Sequence, residues 1–292
     1  MNGLLIIDKP AGMTSHDVVA VVRRMSGERS VGHMGTLDPM ATGVLPLMLG
    51  KYTRLAKFFQ KDRKAYEGTI RLGFATDTYD ADGERVGEAA TSLPGEAEIC
   101  AAAACFAGEI EQTPPAYSAK KVDGVAAYKF ARAGKPVELK RVQVTVFKFV
   151  ICAVTGDAAC FEIELSAGGY VRSVAHDLGA RLGCGAHLAT LRRTVAGDFS
   201  LKDAVTLDDL ARLASSGETI ASRLYHPRLM LPMMPCVTVD ERTAGRIRNG
   251  MQVNLPEYSS AAQAKIFTAQ RDLLAIGQRI AGTLFQPLVV LG

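Results

Sequence analysis

The hydrophobic positions of this chain predict strands over much of its length, with helices between them at irregular intervals. An apolar run over residues 3–9 predicts a buried strand, and a Pro-x-Gly turn follows it. Thr14 or Ser15 can then cap a helix. The apolar stripe of this helix consists of Val18, Val19, Val22 and Met25.

Strict alternation of apolar or small positions with polar ones marks the middle of the chain. Between residues 66 and 74 it predicts a half-buried strand that places Tyr66 on the same face as Ile70. Residues 141–152 and 160–166 also predict strands. The Thr-Gly-Asp turn at 155–157 lies between these two strands and could join them in a hairpin.

Two further helices and a turn are predicted from composition and periodicity. Residues 76–83 form an acidic turn, and the alanine-rich residues 94–106 predict a helix. A helical stripe then consists of Val171, Val174, Ala175, Leu178 and Leu182. It places Tyr170 and Arg172 at a junction between a strand and a helix.

These elements predict an α+β fold. Because the strands dominate without a regular βαβ alternation, we expect a mixed, largely antiparallel sheet in a core that spans residues 1–214. Serines, a glycine and prolines in residues 215–235 predict a linker. Short strands at 266–269, 273–277 and 285–291 then predict a small C-terminal β domain over 236–292.

Composition narrows the class of protein. The chain of 292 residues is 48% hydrophobic and 22% charged, and it has no apolar run near the roughly 18 residues of a membrane span. The first residues lack the basic segment of a signal peptide, so we expect a cytoplasmic location. The six cysteines have no Cys-x-x-Cys spacing and no histidine at zinc-ligand spacing. We therefore expect free, mostly buried thiols and no metal site.

The net charge of +4 is unevenly distributed. Residues 1–66 carry ten Lys/Arg and five Asp/Glu, residues 67–111 carry two and ten, and residues 112–148 carry eight and two. A basic surface built from the first and third blocks would suit a polyanion such as RNA, with the acidic block facing away. Solvated faces without a partner would give the same counts.

One stretch, residues 32–46, carries the clearest candidate chemistry. Asp38 is its only acidic residue, and His33 is its only other ionisable group. The glycines at 32, 35 and 43 allow a positive φ and close backbone approach, while Pro39 restricts Asp38 to an extended conformation. Such a loop can present one carboxylate for nucleophilic or general-base chemistry without a metal. An aspartate before proline can equally well serve only as a turn former.

The same stretch resembles the signature of the TruB family, the bacterial tRNA pseudouridine synthases B. Its motif is Gly-His-Met-Gly-Thr-Leu-Asp-Pro at 32–39 with Gly-Val-Leu-Pro at 43–46. The family's other segments follow in order: Asp-Lys-Pro-x-Gly-x-Thr-Ser-His-Asp at 8–17, Gln-Thr-Pro-Pro-x-Tyr-Ser-Ala-x-Lys-x-Asp-Gly at 112–124, Gly-Gly-Tyr-Val-Arg-Ser at 168–173, and Leu-Arg-Arg-Thr at 191–194. The resemblance covers residues 3–200.

The resemblance implies a pseudouridine-synthase-like catalytic core and a C-terminal domain of the PUA-like kind that supports RNA binding. Its members isomerise uridine 55 in the T loop of tRNA, flip the base out of the RNA and need no cofactor. Asp38 then corresponds to the catalytic aspartate, which could attack C1′ or abstract the 2′ proton. Arg172 corresponds to the arginine that pairs with it.

Other pocket residues also follow from the resemblance. Tyr66 matches the tyrosine that packs on the uracil and acts in proton transfer at C5. Tyr170 matches a second pocket tyrosine. For either residue taken alone, packing in the core would be the usual role of a tyrosine. His33 matches the histidine that occupies the space left by the flipped base. Leu191 aligns with a residue that lines the uracil pocket, or serves as a core leucine. Three basic residues are phosphate contacts or supports: Lys9, Arg192 and Arg193.

The chain departs from the family pattern at two positions. Gly169 stands where the family usually has threonine, and Ala167 stands where a lysine or similar polar residue is common. The lost hydroxyl at 169 removes a possible hydrogen bond, so local rigidity or the RNA contact could be weaker. We still expect activity, because Asp38, Arg172 and both tyrosines are present.

Three alternatives to the tRNA enzyme stay open. The chain could be a non-catalytic tRNA-binding or tRNA-folding protein, or a pseudouridine synthase with another RNA target. A nucleotide-phosphate binder would need a P-loop or dinucleotide motif, which residues 32–43 lack. Guide-RNA-dependent relatives carry long extensions, so we expect this chain to act on tRNA as a monomer without an obligatory protein partner.

Overall fold

The computed structural model describes residues 1–59, 63–118, 120–122, 124–135, 137–256 and 260–292. Ala119 and Asp123 of the motif at 112–124 lie outside the described residues, as do residues 257–259 of the expected C-terminal domain.

The strands are β1 (Gly3–Lys9), β2 (Val31–His33), β3 (Thr42–Leu49), β4 (Lys64–Leu72), β5 (Ala75–Thr76), β6 (Arg85–Val86), β7 (Gly108–Gln112), β8 (Lys121–Val122), β9 (Val125–Ala126), β10 (Val142–Thr155), β11 (Ala158–Leu165), β12 (Ala186–Ala196), β13 (Phe199–Ser200), β14 (Cys236–Thr238), β15 (Val253–Asn254), β16 (Gln263–Phe267), β17 (Leu273–Ala281) and β18 (Leu284–Val290). The α-helices are α1 (Ser15–Ser26), α2 (Glu96–Ala104), α3 (Ala127–Arg132), α4 (Val171–Leu182), α5 (Leu207–Ser215) and α6 (Glu241–Arg248). Short 3₁₀ helices span Gly50–Phe58, Leu201–Asp203 and Ile220–Arg223.

The larger sheet has the strand order β1-β3-β12-β4-β11-β10-β7, with β2 paired to β3 and β13 to β12. Its ladders are antiparallel except for the parallel contact of β12 with β3. The predicted α+β fold on a mixed, largely antiparallel sheet is therefore confirmed.

The apolar run at the start of the chain is explained by burial on both faces of β1. Leu5 and Ile7 join one hydrophobic cluster with α1 and α4, whereas Leu4 and Ile6 join a second cluster on the opposite face. Successive side chains of a strand point to opposite faces, so a strand that is covered on both sides must be apolar throughout.

The predicted elements of the middle of the chain are confirmed with adjusted ends. Tyr66 and Ile70 are both buried on β4, as their alternation predicted, although Phe74 lies beyond the end of the strand. β10 and β11 form the predicted hairpin. Thr14 caps α1 through a capping box with Asp17.

The loop reading of residues 32–46 is wrong at both ends. His33 ends β2, and β3 begins at Thr42, which leaves a loop over residues 34–41. Gly35 and Gly43 have the predicted positive φ, but Gly32 lies in β2 without one. A Cβ at Gly43 would lie 2.2 Å from the carbonyl oxygen of Arg193, so glycine permits the close parallel approach of β3 and β12.

A smaller sheet with the order β14-β16-β17-β18-β15 contains the strands of the C-terminal region. Its Phe267 and Ile276 share a buried cluster with Leu4 and Ile6 of β1, so the two sheets pack through a common core. The intervening segment contributes Met230 and Leu231 to the same cluster.

Two expectations drawn from composition have different outcomes. No helix in the described ranges is apolar and long enough to span a membrane. The expectation of mostly buried thiols is wrong. Cys105, Cys152 and Cys160 are exposed free thiols and only Cys184 is buried, because Cys152 and Cys160 lie on the open face of the β10–β11 hairpin.

Candidate active site

The loop that carries Asp38 is fixed to α1 on one side. The Ser15 hydroxyl donates to the carbonyl of Leu37 and accepts from its amide, at 3.2 and 2.9 Å. Ser15 is buried at the start of the helix, so these two bonds connect the residue before Asp38 directly to a rigid element. The backbone of Asp38 is therefore positioned by its neighbour.

Two fully buried cationic side chains, Lys9 and Arg193, bind backbone carbonyls of the same loop and of the segments beside it. The Lys9 ammonium donates to the carbonyls of Pro10, Met13 and Pro39 at 2.8, 2.6 and 3.2 Å. Burial lowers the pKa of Lys9 to about 8. Its ammonium reaches no solvent, so the geometry favours support of the loop over contact with a phosphate.

Arg193 has the same kind of environment as Lys9. On β12, its guanidinium donates to the carbonyls of Val44, Gly35 and Thr36 at 2.7, 3.2 and 3.5 Å, and the residue is 0% exposed. The carbonyls of residues that flank Asp38 thus satisfy a buried charge, which fixes the loop against the sheet.

Asp38 and Arg172 form a two-pronged ion pair. Nε and Nη2 of Arg172 lie 2.9 and 3.0 Å from the two carboxylate oxygens of Asp38. Arg172 is the second residue of α4, and its side chain is 5% exposed, against 32% for Asp38. The aspartate is therefore the exposed member of the pair.

A second carboxylate from the acidic block also reaches Arg172. Asp80 Oδ2 lies 3.3 Å from Arg172 Nη1, and the carbonyls of Thr78 and Tyr117 accept from the guanidinium at 3.1 and 2.9 Å. The expectation that residues 67–111 face away is wrong for Asp80, since α4 packs against the turn that contains it. A buried guanidinium with four partners has little freedom to move.

Burial of the Asp38 carboxyl raises its pKa above the ordinary 3.8. Arg172 and Lys9 oppose the rise, while the negative charge of Asp80 adds to it. With a raised pKa, the ionised carboxylate is a stronger base than an aspartate in water.

A cavity of about 250 Å³ opens over the exposed side of Asp38. The side chains of Tyr66, Tyr170, Leu191 and Arg172 line it, so it brings together most of the residues predicted from the resemblance. Ligand pockets commonly hold about 300–1,000 Å³, and this cavity suits a single nucleobase. Two aromatic rings and one carboxylate are suited to stack and attack such a group.

Gln112 fixes the backbone at Tyr170. Its side-chain amide donates to the Tyr170 carbonyl at 2.9 Å and accepts from the Tyr170 amide at 2.8 Å, and Gln112 is 0% exposed. Burial raises the pKa of the Tyr170 phenol, and the Ser118 hydroxyl opposes this rise. The motif at 112–124 thus meets the motif at 168–173 at the wall of the cavity.

Three predicted residues are not among those that line the cavity: Lys9, described above, His33 and Arg192. The His33 ring lies edge-on to His16, with 5.5 Å between centroids, and its Nδ1 is buried without a hydrogen bond among the described residues. Arg192 makes two bonds to the carboxylate of Asp8, at 3.1 and 2.7 Å, and is one-third exposed.

Sequence reasoning missed several residues that build this site. Asp80 belongs to a turn predicted only as acidic, and no role is predicted for Ser118, Lys64 or Gln112. For Gln112 and Ser118 the usable signal was their place inside a quoted motif. For Asp80 and Lys64 there was none, because only the packing of α4 and β4 brings them to Asp38.

In the part of the chain that the structure describes, no group of three or more His, Cys, Asp or Glu side chains is arranged to hold a metal ion.

Comparison with known proteins agrees with this architecture. Residues 23–171 match the TruB family pseudouridylate synthase (N terminal domain), and residues 172–237 match the tRNA pseudouridylate synthase B C-terminal domain. The chain is 44% identical to tRNA pseudouridine synthase B of Solibacter usitatus over 100% of both chains. It is 40% identical to that of Geobacillus thermodenitrificans over 94% of both.

Solved structures show the same fold. A chain of an H/ACA RNP bound to a substrate RNA containing 2'-deoxyuridine superimposes with a TM-score of 0.72 at 23% identity, covering 99% of this chain and 85% of the other. A chain of a Cbf5-Nop10-Gar1 complex gives 0.70 at 25% identity, covering 96% and 79%. The chain belongs to the TruB family of pseudouridylate synthases. It is an isomerase that modifies RNA.

Proposed function

We propose that this enzyme converts uridine 55 in the T loop of tRNA to pseudouridine, with Asp38 as its catalytic carboxylate. The reaction breaks the N1–C1′ bond of uridine and forms a C5–C1′ bond, while C5 loses a proton and N1 gains one. No electrons are exchanged overall, so the proposal includes no cofactor. The full-length relatives named above carry the name tRNA pseudouridine synthase B, which supports tRNA as the substrate.

One observation carries the role of Asp38. It is a carboxylate that faces the cavity with one-third of its side chain exposed, while a buried guanidinium fixes both of its oxygens. An oriented, ionised carboxylate can either attack C1′ or remove the 2′ proton. The fixed ion pair supports both routes equally.

The cavity supports a flipped base as the bound form of the target. A cavity of about 250 Å³ admits a nucleobase only after it has left the RNA stack. In this proposal Tyr66 packs on the uracil and acts in the proton transfer at C5, Tyr170 and Leu191 form further walls, and His33 takes the place that the base has left. Lys9 supports the loop that carries Asp38.

We propose that the division of the chain follows the same plan. Residues 1–214 would form the catalytic domain, 215–235 a linker, and 236–292 a small PUA-like domain that adds contacts to tRNA. The enzyme would act in the cytoplasm as a monomer without an obligatory protein partner.

The test is pseudouridine formation on an unmodified tRNA transcript, with the product mapped by position. Wild type should convert uridine 55, and Asp38→Asn should bind the transcript without converting it. Asp82→Asn, which removes an exposed carboxylate of the neighbouring turn, should stay active. RNA binding without conversion by wild type would favour a binding or folding protein. Conversion at another position would assign another target, and activity of Asp38→Asn would identify a different carboxylate.

A further inference from the structure

Tyr79 has an unusual backbone conformation beside the Arg172 ion pair. Its φ is +65°, and Leu231 is the one other non-glycine residue with a positive φ in the described ranges. A bulky side chain is unfavourable in this left-handed region, so surrounding contacts must hold it there. Its two neighbours, Thr78 and Asp80, both bind Arg172.

The ring of Tyr79 lies flat on the imidazole of His176. The centroids are 3.8 Å apart and the planes are inclined by 17°. His176 lies four residues after Arg172 on α4, and residues four apart lie on the same face of a helix. One face of α4 therefore holds the turn at two points, through the guanidinium of Arg172 and through the imidazole of His176.

The turn has its own hydrogen bonds, but they do not reach α4. The Thr78 hydroxyl donates to Asp80 Oδ1 at 2.6 Å, and the Thr76 hydroxyl donates to the Asp80 carbonyl at 2.7 Å. The Tyr79 carbonyl accepts from the Leu188 amide of β12 at 3.0 Å. These bonds fix the shape of the turn and its contact with the sheet, whereas its contacts with α4 are made by Arg172 and by the aromatic stack.

We propose that Tyr79 and His176 form a positioning pair, whose stacking holds residues 78–80 where their carbonyl and carboxylate fix Arg172 against Asp38. Neither side chain is among those that line the cavity, so the pair acts through Arg172. The inference rests on the catalytic roles proposed above for Asp38 and Arg172. It adds two residues that no motif of the sequence singled out.

The variants separate the ring from the backbone. Tyr79→Phe keeps the ring, and Tyr79→Asn removes the ring but keeps a residue that tolerates positive φ. Tyr79→Asn and His176→Ala should each lower kcat about tenfold or more with little change in KM, because small displacements of catalytic groups are costly. Tyr79→Phe should stay within about twofold of wild type, and His176→Phe should recover much of the loss of His176→Ala.

The double variant Tyr79→Asn/His176→Ala makes the test specific for the pair. If the stacking of the two rings positions Arg172, the kcat of the double variant should equal that of either single variant, because the second substitution removes no further interaction. Assays run well below the Tm of every variant, which separates positioning from loss of fold.

Three results would overturn the inference: unchanged kcat in both single variants, multiplied losses in the double variant, or a rise in KM alone, which would indicate an RNA contact. If Asp38→Asn stayed active in the same series, the proposed function would fail first. Normal kcat in Tyr79→Asn beside an inactive Asp38→Asn would reject only the positioning pair.

Discussion

Arg172 spans both carboxylate oxygens of Asp38, although the two residues are 134 positions apart in the chain. The geometry requires two nitrogen donors in one plane, while the third nitrogen serves Asp80 and the carbonyl of Thr78. A guanidinium meets all of these demands at once, and an ammonium does not.

We therefore expect Arg172→Lys to lower kcat by about 100-fold or more while RNA binding persists, because a lysine can hold Asp38 through one oxygen only. Single-turnover kinetics on the tRNA transcript measure the effect. Arg181→Lys, at an exposed position of the last turn of α4, is the matched control and should leave the rate unchanged. Wild-type rates in Arg172→Lys would show that the two-pronged geometry is not required.

The raised pKa of Asp38 predicts the acid side of the pH–rate profile. The reaction needs the ionised carboxylate, so activity should fall with decreasing pH at values above 3.8, the ordinary pKa of aspartate. Asp80→Asn removes a negative charge that raises the pKa of Asp38, so the acid limb should move to lower pH. The plateau rate should also decrease, since Arg172 loses an anchor.

The pH dependence of the single-turnover rate constant checks this shift of the acid limb. Asp82→Asn removes the same charge from the same turn at an exposed position, and it should leave the acid limb in place. An acid limb that moved to higher pH in Asp80→Asn would mean that the loss of Arg172 orientation outweighs the loss of repulsion.

The predictable strands were those with a regular apolar pattern, whether one face was exposed, as in β4, or both faces were buried, as in β1. The alternation in β4 identified Tyr66 correctly because the alternate positions Glu67, Thr69 and Arg71 are polar and reach water at least in part. β12 was not predicted, since Arg193 occupies a fully buried position that a polar–apolar pattern assigns to the surface. The burial of Lys9 was not predictable either, because one of the three carbonyls that accept from its ammonium, that of Pro39, lies 30 residues away in the chain.

The site residues that could be predicted were those that lie in recognisable sequence motifs. The resemblance supplied Asp38, Arg172 and both tyrosines, which do line one cavity. Asp80 and the Tyr79–His176 stack depend on how α4 packs against a turn about 95 residues earlier in the chain. No local pattern encodes such a contact.

Lys9 offers a direct test of support against phosphate binding. We expect Lys9→Met to lower kcat at least tenfold, because the loop around Pro39 loses its buried donor. The dependence of log Kd for tRNA on log salt concentration should keep its slope. A phosphate contact would instead reduce the salt slope by about one when the charge is removed. Filter binding over a range of salt concentrations distinguishes the two roles.

Ser118 is expected to contribute to recognition of the base. Its buried hydroxyl lies at the cavity wall beside the Tyr170 phenol, so it can also bind a polar atom of the uracil. One such bond is worth about 0.5–1.5 kcal/mol, so Ser118→Ala should lower kcat/KM about 2–13-fold.

A substrate that carries 4-thiouridine at the target position tests which atom is bound. Sulfur is a weak acceptor, so the penalty of Ser118→Ala should shrink on this substrate if the hydroxyl donates to O4. An equal penalty on both substrates would place the hydroxyl at another atom. The absence of any penalty would leave Ser118 without a role in binding.

Packing between the two sheets predicts that the C-terminal region stabilises the catalytic core. Phe267 of β16 is fully buried against Leu4 and Ile6 of β1, whose chain leads into the Lys9 contacts behind Asp38. Phe267→Ala should lower the free energy of unfolding by about 3–5 kcal/mol, in one cooperative transition of the whole chain. Met233→Ala, at a side chain that is 94% exposed, should change it by less than about 0.5 kcal/mol. Calorimetry and denaturant unfolding measure both variants. Two separate transitions, with the first unaffected by Phe267→Ala, would mean that the catalytic core folds independently of the smaller sheet.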